Sequence, residues 1–120
     1  MKVKIYGIKN CASVQKARKF IQSKGIKYEF IDFKTTPPSI EAIKQWSEIF
    51  GIESLLNTKG TTYKKLELGT QNLSQQDKLE YMQKHPSLIK RPIIEIYDAK
   101  DSIKSHLIGF DEAKYTAVFK

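Results

Sequence analysis

Cys11 has the most nucleophilic side chain in this sequence, and it is the only cysteine among the 120 residues. A disulfide, a CxxC redox pair and a cysteine-based zinc site each need at least two sulfurs, so the chain alone can form none of them. Any redox chemistry at Cys11 therefore requires a second thiol from another molecule.

The segments on either side of Cys11 are predicted to be a strand and a helix. Residues 3–6 alternate between apolar and polar side chains up to Gly7, and apolar residues recur every three or four positions from Ser13 to Lys24. Cys11 thus lies at a helix N-terminus, where free N–H groups and the helix dipole favour the thiolate. The alternative is a buried structural cysteine, which is common for a free thiol.

Basic residues are concentrated around this cysteine. Residues 1–34 hold nine Lys and Arg against two Asp and Glu, a net charge of +7 out of +8 for the chain. Wherever they point toward the sulfur, Lys9, Lys16 and Arg18 would favour the thiolate further and raise the local concentration of anions. The positive charge around Cys11 is therefore predicted to attract a small anion or an anionic thiol.

Three further residues are candidates for binding that anion. Asn10, the Ser13 hydroxyl and the amides of the 10–15 loop would donate hydrogen bonds to it, although Ser13 could serve only as a helix cap. Arg91 precedes Pro92, which favours extended backbone and would hold the guanidinium out from the start of a strand. The alternative is an ordinary surface arginine, and the sequence leaves open whether the bond before Pro92 is cis.

A second polar loop lies in the middle of the chain. Lys59 and Asn57, in the 57–62 loop, could supply a cation and an amide to the same anion, or the loop could simply be solvated. His85 and His106 have no Cys, Asp or second His at ligand spacing, so no metal site is predicted.

The remaining periodicities predict an α/β fold. A strand at 28–33 completes a βαβ unit with parallel strands, and a hairpin at 93–97 and 103–108 leads to a closing helix. Between them lies a mostly helical section, with Ser39 and Ser74 as N-caps and a short helix near 63–66. We expect one domain over 1–120, with a core of 1–36 and 91–120 and a helical insertion at about 37–90.

Composition excludes several classes of protein. No apolar run approaches the ~20 residues that cross a bilayer, and the N-terminus lacks the apolar region of a signal peptide, so we expect a cytoplasmic protein with no membrane partner. Nineteen of the 21 cations are Lys, and Lys is poorly suited to bidentate base recognition. Sequence-specific nucleic-acid binding is therefore not expected.

Four segments together resemble the arsenate reductase-like ArsC/Spx/YffB family, in order and nearly end to end. They are Tyr6-Gly7-Ile8-Lys9-Asn10-Cys11-Ala12-Ser13, the loop Leu55-Leu56-Asn57-Thr58-Lys59-Gly60, the step Lys90-Arg91-Pro92-Ile93 and the ending Ile108-Gly109-Phe110. The YffB branch, in which the cysteine follows Gly-Ile-Lys-Asn, is the most similar. The resemblance implies a thioredoxin-like (glutaredoxin-like) mixed sheet with an inserted helical subdomain.

The resemblance also implies roles for individual residues. In the arsenate reductases of this family a cysteine thiolate attacks arsenate, glutathione converts the adduct to a mixed disulfide, and glutaredoxin resolves it. Cys11 matches that nucleophile, Arg91 matches the arginine that holds the oxyanion, and Ser13 falls on a hydroxyl-bearing position of the loop. Pro92 would be structural at the site. Glutathione is thus implied as co-substrate, with no bound cofactor.

Several cationic positions of the reductases differ here. Gly7 stands where they have a histidine, Gln15 and Asn57 stand where they have arginines, and a late arginine is missing from 107–110, with Lys59 as a nearby substitute. Fewer cations would stabilise less charge on arsenate. The thiol and Arg91 fit glutathione-linked disulfide exchange at least as well.

The Spx branch implies another class of function. Its members bind the α-subunit of RNA polymerase and use a CxxC switch, but Val14 occupies the second cysteine position here. The leading hypothesis is a monomeric thiol oxidoreductase with Cys11 as nucleophile and Arg91, Lys59, Asn10 and Ser13 as anion donors. The alternative is a non-catalytic regulator that binds a protein partner.

Overall fold

The computed structural model describes residues 2–119, in which four strands form one sheet. The strands are β1 (Lys2–Gly7), β2 (Glu29–Asp32), β3 (Ile93–Tyr97) and β4 (Ile103–Ile108). The α-helices of this range are α1 (Ala12–Ser23), α2 (Ile40–Phe50), α3 (Ile52–Leu55), α4 (Thr61–Lys65), α5 (Gln75–Lys84) and α6 (Glu112–Val118). Two short 3₁₀ turns, Leu68–Thr70 and Pro86–Leu88, complete the elements.

The sheet has the strand order β2-β1-β3-β4 and is mixed. β1 and β2 are parallel and joined by α1, while β3 runs antiparallel to both β1 and β4. This arrangement confirms the predicted βαβ unit, the later hairpin and the α/β fold with a thioredoxin-like core. It also brings the C-terminal end of β1 beside the N-terminal end of β3, where Tyr6 pairs with Ile93.

One face of the sheet packs against α1 and α6. Because side chains alternate along a strand, every second residue of β1 and β3 contributes to this apolar layer. The buried residues of the cluster are Val3, Ile5, Ala17, Ile21, Ile94, Ile96, Leu107, Tyr115 and Phe119. The Tyr115 hydroxyl donates a hydrogen bond to the Gly109 carbonyl oxygen at 2.5 Å, which ties α6 to the segment after β4.

The chain divides into two compact units, one formed by its two ends up to Thr36 and from Arg91, the other by Pro37–Lys90. In the second unit, α2 and α5 pack together, and the segment after α3 forms an isolated bridge between Leu56 and Ile89. That the two units constitute a single domain stays a prediction.

The second unit differs from the sequence expectation around 52–65. α3 (Ile52–Leu55) was not predicted, since a single helical turn is too short to show a periodicity. The helix expected near 63–66 begins earlier, at Thr61, because the Lys64 N–H already bonds to the Gly60 carbonyl oxygen at 3.4 Å.

Candidate active site

Cys11 is the N-cap residue of α1, four residues after the end of β1. Its backbone is extended, with φ −88° and ψ 126°, and its carbonyl oxygen accepts the first helical hydrogen bond, from Gln15 N–H at 3.0 Å. The thiol is free and half-buried. The first-turn amides of an α-helix have no intrahelical acceptor, so the sulfur lies where N–H groups can stabilise negative charge.

No side chain caps α1. Ser13 lies inside the first turn and is half-buried, so the alternative reading of Ser13 as the helix cap is wrong. Asn10, immediately before the cysteine, is exposed. The Ser13 hydroxyl and the Asn10 amide therefore stay candidates for hydrogen bonding to an anion at this helix end, and their role is a prediction.

Gln15, on α1, holds the loop that precedes the cysteine. Its side-chain amide donates a hydrogen bond of 3.1 Å to the Lys9 carbonyl oxygen. This position is one at which the reductases carry an arginine. Here it supplies a neutral donor to the backbone instead of a positive charge to a substrate.

The expected cationic surroundings of the sulfur are only partly present. Lys9 and Lys16 are exposed. Arg18 contacts two aromatic residues instead. Its Nε donates to the Tyr28 hydroxyl at 3.0 Å, and its guanidinium carbon lies 4.5 Å from the centre of the Phe30 ring. Ring stacking and a neutral hydrogen bond thus hold Arg18 beside β2, so the condition that this side chain points toward the sulfur is not met.

Arg91 and Pro92 stand at the end of the sheet from which the chain runs on to Cys11. The Arg91-Pro92 peptide bond is cis, which the sequence left open. Pro92 is buried, and its carbonyl oxygen accepts the Gly109 N–H at 2.9 Å. The register of β1 against β3 therefore places Arg91 and the cysteine loop at one end of neighbouring strands.

The Arg91 side chain is half-buried. It therefore differs from the ordinary surface arginine that the sequence left as an alternative. Its Nε is buried and has no hydrogen-bond partner among residues 2–119. Buried N–H donors are nearly always paired, because an unpaired one costs about 1–3 kcal/mol. An oxyanion is the acceptor that a guanidinium fork fits best.

Lys59 belongs to the second compact unit, in an exposed turn between α3 and α4. Asn57 anchors this turn, with its N–H bonded to the Leu88 carbonyl oxygen at 2.6 Å. The Asn57 side chain packs closely on Gly60, since a Cβ there would lie 2.7 Å from the Asn57 side-chain nitrogen and would displace that amide. That Lys59 serves the anion near Cys11 stays a prediction.

Glu95 is a buried charge that sequence reasoning did not single out. It is only 5% exposed, and one carboxylate oxygen accepts hydrogen bonds of 2.7 Å from both the Tyr6 and Tyr97 hydroxyls. Burial is the largest cause that raises the pKa of Tyr97 to about 12, and the hydrogen bond to Glu95 and the Glu95 charge add to it. The same causes raise the pKa of Tyr6 further. A lone carboxylate within the apolar run of residues 93–97 was the signal that could have identified it.

His106 faces Glu95 across the β3/β4 ladder. Burial lowers the pKa of His106, and the Glu95 charge acts in the opposite direction. Within residues 2–119, no group of three His, Cys, Asp or Glu is arranged to hold a metal ion, and no helix is long and apolar enough to cross a membrane.

The chain has a thiol oxidoreductase-like fold, in which a free thiol stands at the start of the helix that follows the first strand of a mixed β2-β1-β3-β4 sheet. The ArsC family model matches residues 6–118, and the chain belongs to this family.

Three proteins similar to this chain carry three different descriptions. The global transcriptional regulator Spx of Listeria innocua is 31% identical over 94 residues, and the match covers 77% of this chain and 72% of the regulator's length. The arsenate reductase of Neisseria meningitidis is 28% identical over 95 residues, covering 77% and 81%. The solved structure of a YffB protein superposes with a TM-score of 0.88 at 32% identity, covering 98% of this chain and 99% of its own.

Proposed function

We propose that this protein is a glutathione-dependent thiol oxidoreductase with Cys11 as its single nucleophile and Arg91 as the anchor for an anionic group. The observation that carries the proposal is the half-buried free thiol at the N-cap of α1, at the end of the sheet where Arg91 enters β3. Asn10 and Ser13 would donate to the same anion, with Lys59 as a second cation.

The reaction would proceed by two thiol–disulfide exchanges. The Cys11 thiolate attacks the glutathione sulfur of a mixed disulfide, so that an S–S bond forms to Cys11 and the substrate sulfur leaves as a thiolate. A second glutathione thiolate then attacks that bond, giving oxidised glutathione and regenerating the Cys11 thiolate. In the net reaction one reduced glutathione is oxidised for each mixed disulfide: its sulfur pairs with the glutathione sulfur of the substrate, the substrate leaves as a thiol, and no internal cysteine is needed.

An oxyanion such as arsenate is the other substrate that this site could accept. The buried Nε of Arg91 supports oxyanion binding. Gln15, however, gives its side-chain amide to the Lys9 carbonyl rather than to a substrate. With less positive charge at the site, we expect exchange of a glutathione mixed disulfide to be faster than arsenate reduction.

The test is turnover of the purified protein with glutathione, comparing a glutathione mixed-disulfide substrate with arsenate, and glutaredoxin is added only to the arsenate assay. We expect turnover of the disulfide that is lost in Cys11→Ser and reduced in Arg91→Ala. Ala12→Ser, an exposed change beside the cysteine, is the matched control and should retain activity. Equal rates for the wild type and Cys11→Ser would disprove the proposal.

A regulator that binds the α-subunit of RNA polymerase is the second candidate, favoured by the similarity to Spx proteins. Because Val14 replaces the second cysteine, such binding would not depend on an internal disulfide. Affinity for the isolated C-terminal domain of the α-subunit that is equal in the wild type and in Cys11→Ser, without thiol-dependent turnover, would favour this candidate over the enzyme.

The proposal includes a cytoplasmic setting and a monomeric protein. Small thiols keep cysteines reduced in the cytosol, which the proposed cycle requires. Sedimentation at the concentration of the activity assay tests the monomer.

A further inference from the structure

A second group of polar and aromatic side chains, away from Cys11, lies between α1 and β2. It consists of Arg18, Gln22, Tyr28 and Phe30, and is called the Arg18–Tyr28 cluster below. We propose that this cluster binds an oxyanion group, phosphate or carboxylate, of a small molecule. The inference does not depend on the activity proposed for Cys11.

The Arg18 guanidinium is held in place before any ligand arrives. Its central carbon lies 4.5 Å from the centre of the Phe30 ring, and its Nε donates to the Tyr28 hydroxyl at 3.0 Å. The two terminal nitrogens have no hydrogen-bond or ion-pair partner among residues 2–119. A fixed guanidinium with free terminal N–H groups matches the paired oxygens of a phosphate or carboxylate.

The Tyr28 hydroxyl supplies another donor directed by the same contacts. Its oxygen accepts hydrogen bonds from Arg18 Nε at 3.0 Å and from Gln22 Nε2 at 3.2 Å. Two accepted bonds occupy both lone pairs of a hydroxyl oxygen. The hydroxyl hydrogen, which has no acceptor within the described part of the chain, is thus left to donate to a ligand.

The cluster lines an open cavity at the protein surface. The cavity measures about 610 Å³ and is also bordered by the exposed residues Gly25 and Lys27. An oxyanion group bound there would contact the cluster on one side and stay accessible to solvent on the other. Arg18 and Lys27 give the lining a positive charge, and it carries no Asp or Glu.

The cluster is distinct from the cysteine end of α1. Arg18 follows Cys11 by seven residues, which places it about 10 Å further along the helix axis. Ligands at the two ends can therefore be told apart by a measurement with residue resolution.

Amide and arginine side-chain NMR shifts of the full chain test the proposal, in separate titrations with inorganic phosphate and succinate at constant ionic strength. We expect saturable shifts at Arg18 Nε–H and at residues 28–30 in at least one titration, which also identifies the preferred oxyanion. Arg18→Lys, which keeps the charge but loses the fork, and Tyr28→Phe, which loses the donor, should each weaken binding roughly tenfold.

Lys19→Gln is the matched control, because Lys19 is an exposed cation next to Arg18 that does not line the cavity. It should leave the affinity unchanged. Shifts that are absent in both titrations, that are confined to residues 10–15, or that weaken as much in Lys19→Gln as in Tyr28→Phe would overturn the inference.

Discussion

The side-chain amide of Gln15 and the carbonyl oxygen of Lys9 form a hydrogen bond of 3.1 Å that closes the loop carrying Cys11. Lys9 lies two residues before the cysteine and Gln15 four residues after it, so the bond fastens the loop to the first turn of α1. The position of the thiol therefore depends on a neutral side chain as well as on the helix end.

Gln15→Ala should loosen this loop without changing the fold. Losing one exposed hydrogen bond of about 1 kcal/mol should speed hydrogen exchange of the amides of residues 9–11 by roughly fivefold. Mass-spectrometric or NMR exchange measures this. Gln45→Ala, an exposed glutamine of α2, is the control for global stability. Unchanged exchange in residues 9–11 of Gln15→Ala would mean that the bond does not hold the loop.

Arg91→Lys should impair turnover more than removal of a neighbouring cation does. Lysine keeps the charge but cannot offer the buried Nε or a bidentate fork, so we expect kcat/KM for an anionic substrate to fall roughly 10- to 100-fold. Lys90→Gln, which removes an exposed cation one residue away, is the comparison. Equal losses in the two variants would assign the effect to general charge.

Gly7→Ala should strain the contact between β1 and α1. A Cβ at Gly7 would lie 2.7 Å from a methyl carbon of the fully buried Val14, so we expect a loss of about 1–3 kcal/mol in the free energy of unfolding. Combining it with Val14→Ala should cost less than the sum of the two single changes, because the smaller side chain removes the overlap. Urea unfolding of the four proteins measures the coupling, and strict additivity would contradict it.

The raised pKa of Tyr97 predicts a loss of stability at high pH. Burial and the hydrogen bond to Glu95 hold this phenol neutral up to about pH 12, whereas in the unfolded chain it ionises near its ordinary value of 10.0. Its contribution is thus complete below pH 10 and is lost as the pH rises from 10 through about 12.

Tyr97→Phe should therefore make the decline in unfolding free energy between pH 10 and 12 shallower, by up to about 1.4 kcal/mol per pH unit. Tyr81→Phe, on α5, controls for the loss of a tyrosine outside this network. Denaturant unfolding at several pH values measures both slopes. Parallel curves for the wild type and Tyr97→Phe would contradict the prediction.

Local periodicity was sufficient to predict the elements that carry the cysteine. The alternation in residues 3–6 and the three- and four-residue spacing after Ser13 placed Cys11 at a helix start, and the structure confirms that placement. The serine caps at Ser39 and Ser74 were equally readable, since each accepts a hydrogen bond from the first turn of its helix.

Features that depend on contacts with other strands could not be predicted from the sequence. The sequence left open whether Arg18 points toward the sulfur, and the direction of its side chain is set by the Phe30 ring on β2. The burial of Glu95 depends on hydroxyls from Tyr6 on another strand and Tyr97 on its own. Nothing in a local pattern specifies which neighbour a long polar side chain will bind.

Val14 lies one helical turn after Cys11 and is fully buried. A cysteine is smaller than a valine, so Val14→Cys would need no displacement of the neighbours that now surround the side chain, and it would create the spacing of a CxxC pair. On this backbone, a protein that depends on a thiol from outside and a protein with a CxxC pair of its own differ by one amino-acid substitution.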